Sequence, residues 1–397
     1  MAQCYGRNMQ THSIIYSLFL IFVGCAITAT LALWARQALI VGYIILGVLL
    51  GPWGLAWVDD TALLADIAEI GIMFLLFMLG LNLAPQKLLF LLKKTTIVTI
   101  ITSTSFSLFG VVVALAFGFS WLDALIIGFS AMFSSTIIGL KLLPTTVLHH
   151  RHTGEVIISV LLLQDLIAIA VMLWLGAQSA ESSTIGDAAM IVISLPAIIG
   201  VAWLGEKYLL LRLIRKFDRV QEFIFLLAIA WCLGIAQLAH AAGLSYEIGA
   251  FIAGITLATN PIALFIAESL KPVRDFFLVL FFFAIGANIN LVTAIANWLP
   301  ALILAAGLLV LKPIVFRFAL DRVSESPKLA WETGWRLGQM SEFSLLIVFL
   351  ALEHQLLSAG AANVVQLATV LTFIGSSSWI VMRFPTPAAL SDELRRD

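Results

Sequence analysis

GEVIISVLLLQDLIAIAVMLWLG, residues 154–176, reads as one helix with a carboxylate near its middle. About 20 apolar residues rising 1.5 Å each cover the ~30 Å hydrocarbon core of a bilayer. Asp165 is the only ionisable residue away from the ends of this stretch, and Gln164 precedes it. An acid at that depth costs at least ~2.5–3.5 kcal/mol on insertion scales, so it faces a partner or a water-filled cavity. Two readings stay open from this span alone. Asp165 takes up and releases protons or cations, or it pairs with another helix and only holds a bundle together.

Composition places the rest of the chain in the membrane too. Of 397 residues, 61% are hydrophobic and 11% charged, with a mean hydropathy of +1.07. Soluble domains are nearer 45–50% apolar and about 25% charged. The net charge of −1 leaves no basic field for nucleic acid and no acidic disordered tail. Cys4, Cys25 and Cys232 are scattered, without metal-ligand spacing, and read as small apolar side chains rather than a disulfide framework. The run from Ser13 to Leu33 is too long for a signal-peptide core and reads as a retained span. No nucleophile, metal or phosphate-binding constellation is present in the sequence, so neither an enzyme nor a cofactor is expected.

Apolar runs bounded by charges, Pro and Gly predict thirteen spans: 13–34, 38–57, 62–83, 95–117, 121–144, 154–176, 187–210, 222–242, 246–267, 272–290, 298–320, 330–352 and 362–383. The basic residues test that count. Segments after odd-numbered spans carry Arg36, Lys87, Arg151, Arg212, Lys271 and Arg322, among others. Segments after even-numbered spans hold acids such as Asp59, Asp60 and Glu181, and no Lys or Arg. The positive-inside rule then puts the C-terminus in the cytoplasm and the N-terminus outside, with Arg7 as the main exception. His149, His150 and His152 read as a solvated cytoplasmic loop.

The sequence also repeats itself. Gly42-x4-Gly47 in span 2 matches Gly249-x4-Gly254 in span 9, at an offset of 207. Phe77, Gly80 and Asn82 match Phe283, Gly286 and Asn288, at an offset of 206. Matching segments lie seven spans apart, an odd number, so the halves have opposite orientation. Inverted repeats are characteristic of secondary transporters, whose sites lie near the midplane. The same offset carries Ser134-Ser135-Thr136 in span 5 onto Met340-Ser341-Glu342 in span 12, beside Gln339. Polar interruptions at that depth predict two broken helices lining a cavity. Lys312, followed by Pro313, is a further mid-membrane charge. It either pairs with an acid or compensates the negative ends of half-helices. Glu342 divides in the same way between cavity lining and charge balance.

These residues resemble a known family. VGYIILGVLLGPWGL (41–55), AEIGIMFLLFMLGLNLAPQKL (68–88), SSTIIGLKLL (134–143), LLLQDLIAI (161–169), EIGAFIAGITLA (247–258), LKPVRDFFLVLFFFAIGANINL (270–291) and GQMSEFSLL (338–346) are similar to the monovalent cation:proton antiporter-2 family. Within it they are nearest the membrane domain of glutathione-gated potassium efflux (Kef) systems. The resemblance covers spans 2 to 12 in order. It implies an all-α, sodium/proton antiporter-like fold, a homodimer, and Asp165 as the ion-binding residue. It further implies one membrane domain over residues 1–397. Spans 1–3 and 8–10 (about 13–83 and 222–290) would form a dimerisation scaffold, and spans 4–6 and 11–13 (about 95–176 and 298–383) a translocating core. The Gln164-Asp165 pair is the Kef-like form, associated with potassium.

Two departures shape the expectation. Kef systems continue into a cytoplasmic nucleotide-binding domain, and no G-x-G-x-x-G stretch of that kind occurs here. The Kef acidic loop before span 10 is replaced by PIALFIAESLKP. Any regulatory domain is therefore expected on a separate subunit. The expected function is exchange of a monovalent cation, potassium first and sodium as the alternative, for protons, in a bacterial inner membrane. Asp165 would bind either a proton or a cation. Ser134, Ser135, Thr136 and Gln164 would supply neutral oxygen ligands. Lys312, Glu342, Gln339 and Ser341 would line the cavity or balance its charge. A cation channel and a non-transporting membrane scaffold are the rivals from other classes.

Overall fold

Apolar runs with no water to satisfy their backbone fold into helices, and the described residues of this chain do so. A computed structural model describes residues 13–35, 37–58, 61–82, 85–141, 152–178, 185–217, 220–244, 246–258 and 260–384; among them there is no strand. The first half holds α1 (Ser13–Trp34), α2 (Leu39–Leu50), α3 (Thr61–Asn82), α4 (Pro85–Ala116), the short pair α5 (Trp121–Met132) and α6 (Thr136–Lys141), and α7 (His152–Gln178). A connecting helix follows: α8 (Ile185–Gly205) passes through a π-helical turn, Glu206–Leu210, into α9 (Leu211–Lys216). The second half holds α10 (Gln221–Ala241), α11 (Tyr246–Ala258), α12 (Ile262–Ala287), the single-turn α13 (Leu291–Ala296) and α14 (Trp298–Asp321). It closes with the pair α15 (Pro327–Arg336) and α16 (Glu342–Glu353), and then α17 (Ala359–Arg383).

Every expected span contains described helix, and five described helices are long and apolar enough to cross a membrane by length and composition alone. The edges differ in instructive places. The ninth segment stops at Ala258, and the tenth starts at Ile262 rather than 272. Pro272, which reads as a helix start, lies inside α12. The 26 residues of α12 span about 39 Å at 1.5 Å each, more than the ~30 Å hydrocarbon core. Its first half carries the exposed pair Glu268–Lys271, 3.7 Å apart. His149 and His150 lie outside the described residues, as does the side chain of His152.

The inverted repeat is visible in how backbones touch. A Cβ on Gly47 of α2 would run into the Phe283 carbonyl of α12, next to Gly286. A Cβ on Gly254 of α11 would run into the Phe77 carbonyl of α3, next to Gly80. These are the same contact made twice, with the halves exchanging roles. Glycine is needed because only it lets two helix backbones approach this closely. The outer helices repeat as well: Gly42 faces Thr28 and Ala29 of α1, and Gly249 faces Ile235 and Ala236 of α10.

Packing gathers the helices into two groups. α3 packs on α11 and α12, α2 on α12, and α10 on α11. α5 packs on α4 and α16, α14 on α4, α15 and α17, and α7 on α4 and α16. The second group brings together the interruptions between α5 and α6 and between α15 and α16. Cys25 and Cys232 are buried free thiols in the helix interior.

Candidate functional site

The first interruption, Phe133–Ser135, is held open by hydrogen bonds that replace the missing helical ones. Gln164 Oε1 accepts from the Ser134 N–H at 3.0 Å, and its Nε2 donates to the Met132 carbonyl at 3.2 Å. One amide thus satisfies a donor and an acceptor of the broken backbone, groups that cost about 1–3 kcal/mol each when buried unpaired. Ser135 Oγ then accepts from the Ile138 N–H at 3.1 Å and caps α6. The second interruption, 337–341, is handled alike. Met340 N–H donates to Thr372 Oγ1 of α17 at 3.0 Å, and Ser341 Oγ caps α16 through the Phe343 N–H at 3.2 Å.

The two interruptions meet in the interior. Ser134 Oγ donates to the Leu337 carbonyl at 2.9 Å, and Ser344 Oγ to the Ser130 carbonyl at 2.6 Å. Lys312 reaches both from α14. Its Nζ donates to the Phe133 carbonyl at 2.6 Å, the Gln339 carbonyl at 2.8 Å and Ser134 Oγ at 3.2 Å. An ammonium has three donors, and all three are used. Phe133 ends α5 and Gln339 lies just past α15, so the cation sits between two helix ends that carry partial negative charge. The Phe106 ring lies 5.2 Å from the same Nζ and adds a cation–π contact. Gln339 donates from Nε2 to the Ser135 carbonyl at 3.5 Å and accepts from Ser376 Oγ at 2.8 Å.

Asp165 sits on α7 against the first interruption and is 2% exposed. Thr136 Oγ1 donates to its Oδ1 at 3.4 Å, a long bond. Its Oδ2 is buried without a hydrogen-bond partner among the described residues. The Glu342 carboxylate, 3% exposed, acts on Asp165 electrostatically and accepts from Ser341 Oγ at 3.5 Å. A buried carboxylate oxygen with open coordination, beside hydroxyls and carbonyls, is a hard-oxygen environment. It suits a proton or an alkali cation. Among the described residues no cluster of three or more His, Cys, Asp or Glu is placed to hold a metal.

Two broken helices meet beside the buried carboxylates of Asp165 and Glu342, and comparison with known proteins says which family builds this arrangement. The family described as "Sodium/hydrogen exchanger, transmembrane" matches residues 18–383. The chain belongs to that sodium/hydrogen exchanger family. Among curated relatives, the glutathione-regulated potassium-efflux system protein KefC of Salmonella typhi is 29% identical over 386 residues, covering 94% of this chain and 61% of the relative. KefC of Salmonella arizonae is 29% identical over 399 residues, covering 98% of this chain and 63% of the relative. The chain thus spans about three-fifths of the length of these relatives. The solved structure of the sodium proton antiporter MjNhaP1 from Methanocaldococcus jannaschii superposes with a TM-score of 0.68 at 16% identity, over 97% of this chain and 98% of that one. The sodium/proton antiporter fold, all helical with two interrupted helices, is therefore the fold of this exchanger-family member.

Ser134, Ser135, Thr136, Gln164, Asp165, Lys312, Gln339, Ser341 and Glu342 all fall within this one assembly. Other members are not evident from the sequence reading. Thr372 and Ser376 each bond to the second interruption, and with Thr369 they lie at helical spacing on one face of α17. That polar stripe in an apolar helix is the signal that marks them. Arg336, 1% exposed, ends α15 and pairs with Glu332 at 3.0 Å. Its contacts with Glu332 and the Phe384 ring place it beside the second interruption rather than within the assembly.

Proposed function

We propose that this exchanger-family chain swaps a monovalent cation, potassium first, for protons at Asp165 by alternating access. The observation that carries the reading is the open Asp165 Oδ2, buried beside the first interruption. A bare carboxylate charge is costly there, so the group is stable with a proton or with a cation, and the two compete. Competition for one oxygen pair couples the opposed fluxes. Thr136 Oγ1, the Ser134 and Ser135 groups and Gln164 Oε1 provide neutral oxygens nearby, although Gln164 also braces the backbone. Lys312 holds the two interruptions together while the site changes side. Potassium is favoured by the likeness to KefC and by the Gln-Asp pair.

In the same reading the chain crosses a bacterial inner membrane thirteen times, N-terminus outside and C-terminus cytoplasmic. It forms a homodimer through α1–α3 and α10–α12, and the group containing the interruptions moves against that scaffold. A second reading, sodium for protons, is favoured by the fold shared with a sodium proton antiporter.

Proteoliposomes with an imposed pH gradient test both readings. Gradient collapse that needs potassium and is lost in Asp165→Asn supports the first. Dependence on sodium moves the assignment to the second. Potassium flux without proton movement, or full exchange in Asp165→Asn, overturns the coupling argument.

A further inference from the structure

A cavity of about 150 Å³ opens on the outer surface of the helix bundle beside the second interruption. Leu309 and Val310 of α14 form one wall, and Gly375 and Trp379 of α17 the other. Gly338, inside the interruption, and Trp335, just before it, form the floor. The cavity's one hydroxyl, Ser376, is turned to Gln339 Oε1 at 2.8 Å. At the rim Val310 is 60% and Trp379 43% exposed. In a bilayer that rim meets hydrocarbon. An apolar cavity of about 150 Å³ stays dry and takes a benzene-sized guest, which is the size of a short run of acyl chain.

The surroundings fit one end of a phospholipid. The rings of Trp331, Trp335 and Trp379 form a row, with centroids 6.3 and 4.9 Å apart. Tryptophan gathers where hydrocarbon gives way to headgroups. Arg383 is exposed one turn past Trp379 on the same helix, where it can meet a phosphate. We propose that a phospholipid acyl chain seats in this cavity, headgroup toward Arg383, and packs against Gly338 at the second interruption. The tail then packs against the break beside Leu309, one turn before Lys312 on α14. The inference rests on the membrane reading alone, and not on which cation is exchanged.

The test uses the full chain in nanodiscs of phosphatidylethanolamine and phosphatidylglycerol, the latter carrying a photoactivatable diazirine in its acyl chain. Cross-linked residues are mapped by mass spectrometry. A Cβ on Gly375 would lie 2.8 Å from Leu309 Cδ1, the end of a flexible side chain, so Gly375→Leu grows into the cavity. The expected result is labelling of Leu309, Val310 and Trp335 above that of Phe318, an exposed residue elsewhere on α14. In Gly375→Leu that excess disappears while elution and melting temperature are retained. Should Gly375→Leu fail to fold, Val310→Trp closes the mouth from its exposed side and is expected to remove the same excess. Labelling no stronger than at Phe318, or unchanged in the filled variant, overturns the proposal. Cross-links joining two copies of the chain at these residues would give the cavity to a protein partner and overturn it too. No transport is measured, so a failed exchange assay leaves this test intact.

Discussion

The two broken helices are built alike and charged differently. Each is restarted by a serine cap, Ser135 or Ser341, and each has a stranded N–H taken by the following helix, through Gln164 or Thr372. The charges do not repeat. At an offset of 206 residues, Asp165 falls on Leu371, and Lys312 falls back on Phe106. Lys312 and Phe106 are in contact, so a cation and a ring face each other where strict symmetry would place two identical side chains. The repeat builds two matching breaks, and departures from it place Asp165 at the first and Lys312 between them. Two acids at matched positions would give two competing sites. Two lysines would face each other in a medium that penalises each charge.

The strongest way to break this comparison is at the charges. In Asp165→Asn, exchange is expected to vanish, and Leu371→Asp added to it should not restore transport, because Val370 and Glu342 stand where the first half has Gln164 and Thr136. Proton flux in proteoliposomes reads both variants, and restored exchange would mean that the halves are functionally equivalent. Lys312→Met comes next. It leaves the Phe133 and Gln339 carbonyls without their ammonium donor, a loss of about 3 kcal/mol for two buried acceptors. Chemical denaturation in detergent would show it as a marked fall in stability, while Phe106→Leu should cost about 1 kcal/mol, within the range for aromatic contacts.

Much of this was legible because a charge in an apolar run has few explanations. Asp165 and Lys312 stand out for that reason, as does the Ser134–Thr136 interruption. The geometry of the partners was not legible. Gln164 reads as an ion ligand from its position beside Asp165, yet both ends of its amide also bond backbone at the break. Only the folded arrangement shows that Lys312 touches both interruptions, because its partners are carbonyls, which no side-chain pattern announces. Pro272 misplaced a boundary because proline in a membrane helix can sit in the interior when neighbours re-satisfy the freed backbone. Thr372 and Ser376 showed only as a polar stripe on α17, with nothing in the sequence to pair it with the second break.

Glycine substitutions probe the symmetric side of the comparison. Gly286→Ala and Gly80→Ala each push a methyl toward a partner backbone, against Ile44 in one case and Phe251 in the other. Overpacking of this kind costs about 1–3 kcal/mol. Since the contacts are related by the repeat, the two penalties should agree within error, and a large difference in melting temperature would argue against equivalent halves.

The smallest effect sharpens the comparison most. Gln164→Leu removes two bonds to the first break, and Thr372→Val removes one bond to the second. At about 1–3 kcal/mol per buried group left unpaired, Gln164→Leu should cost roughly twice as much stability as Thr372→Val. Their effects on transport should diverge further. Gln164 holds the segment that faces Asp165, so its loss is expected to raise the cation concentration needed for half-maximal exchange. Thr372 holds the segment on the other side, and Thr372→Val should lower stability with that concentration nearly unchanged. Equal shifts in both variants would mean that the two breaks form one cooperative unit. The site would then belong to the crossing as a whole rather than to the half that carries the aspartate.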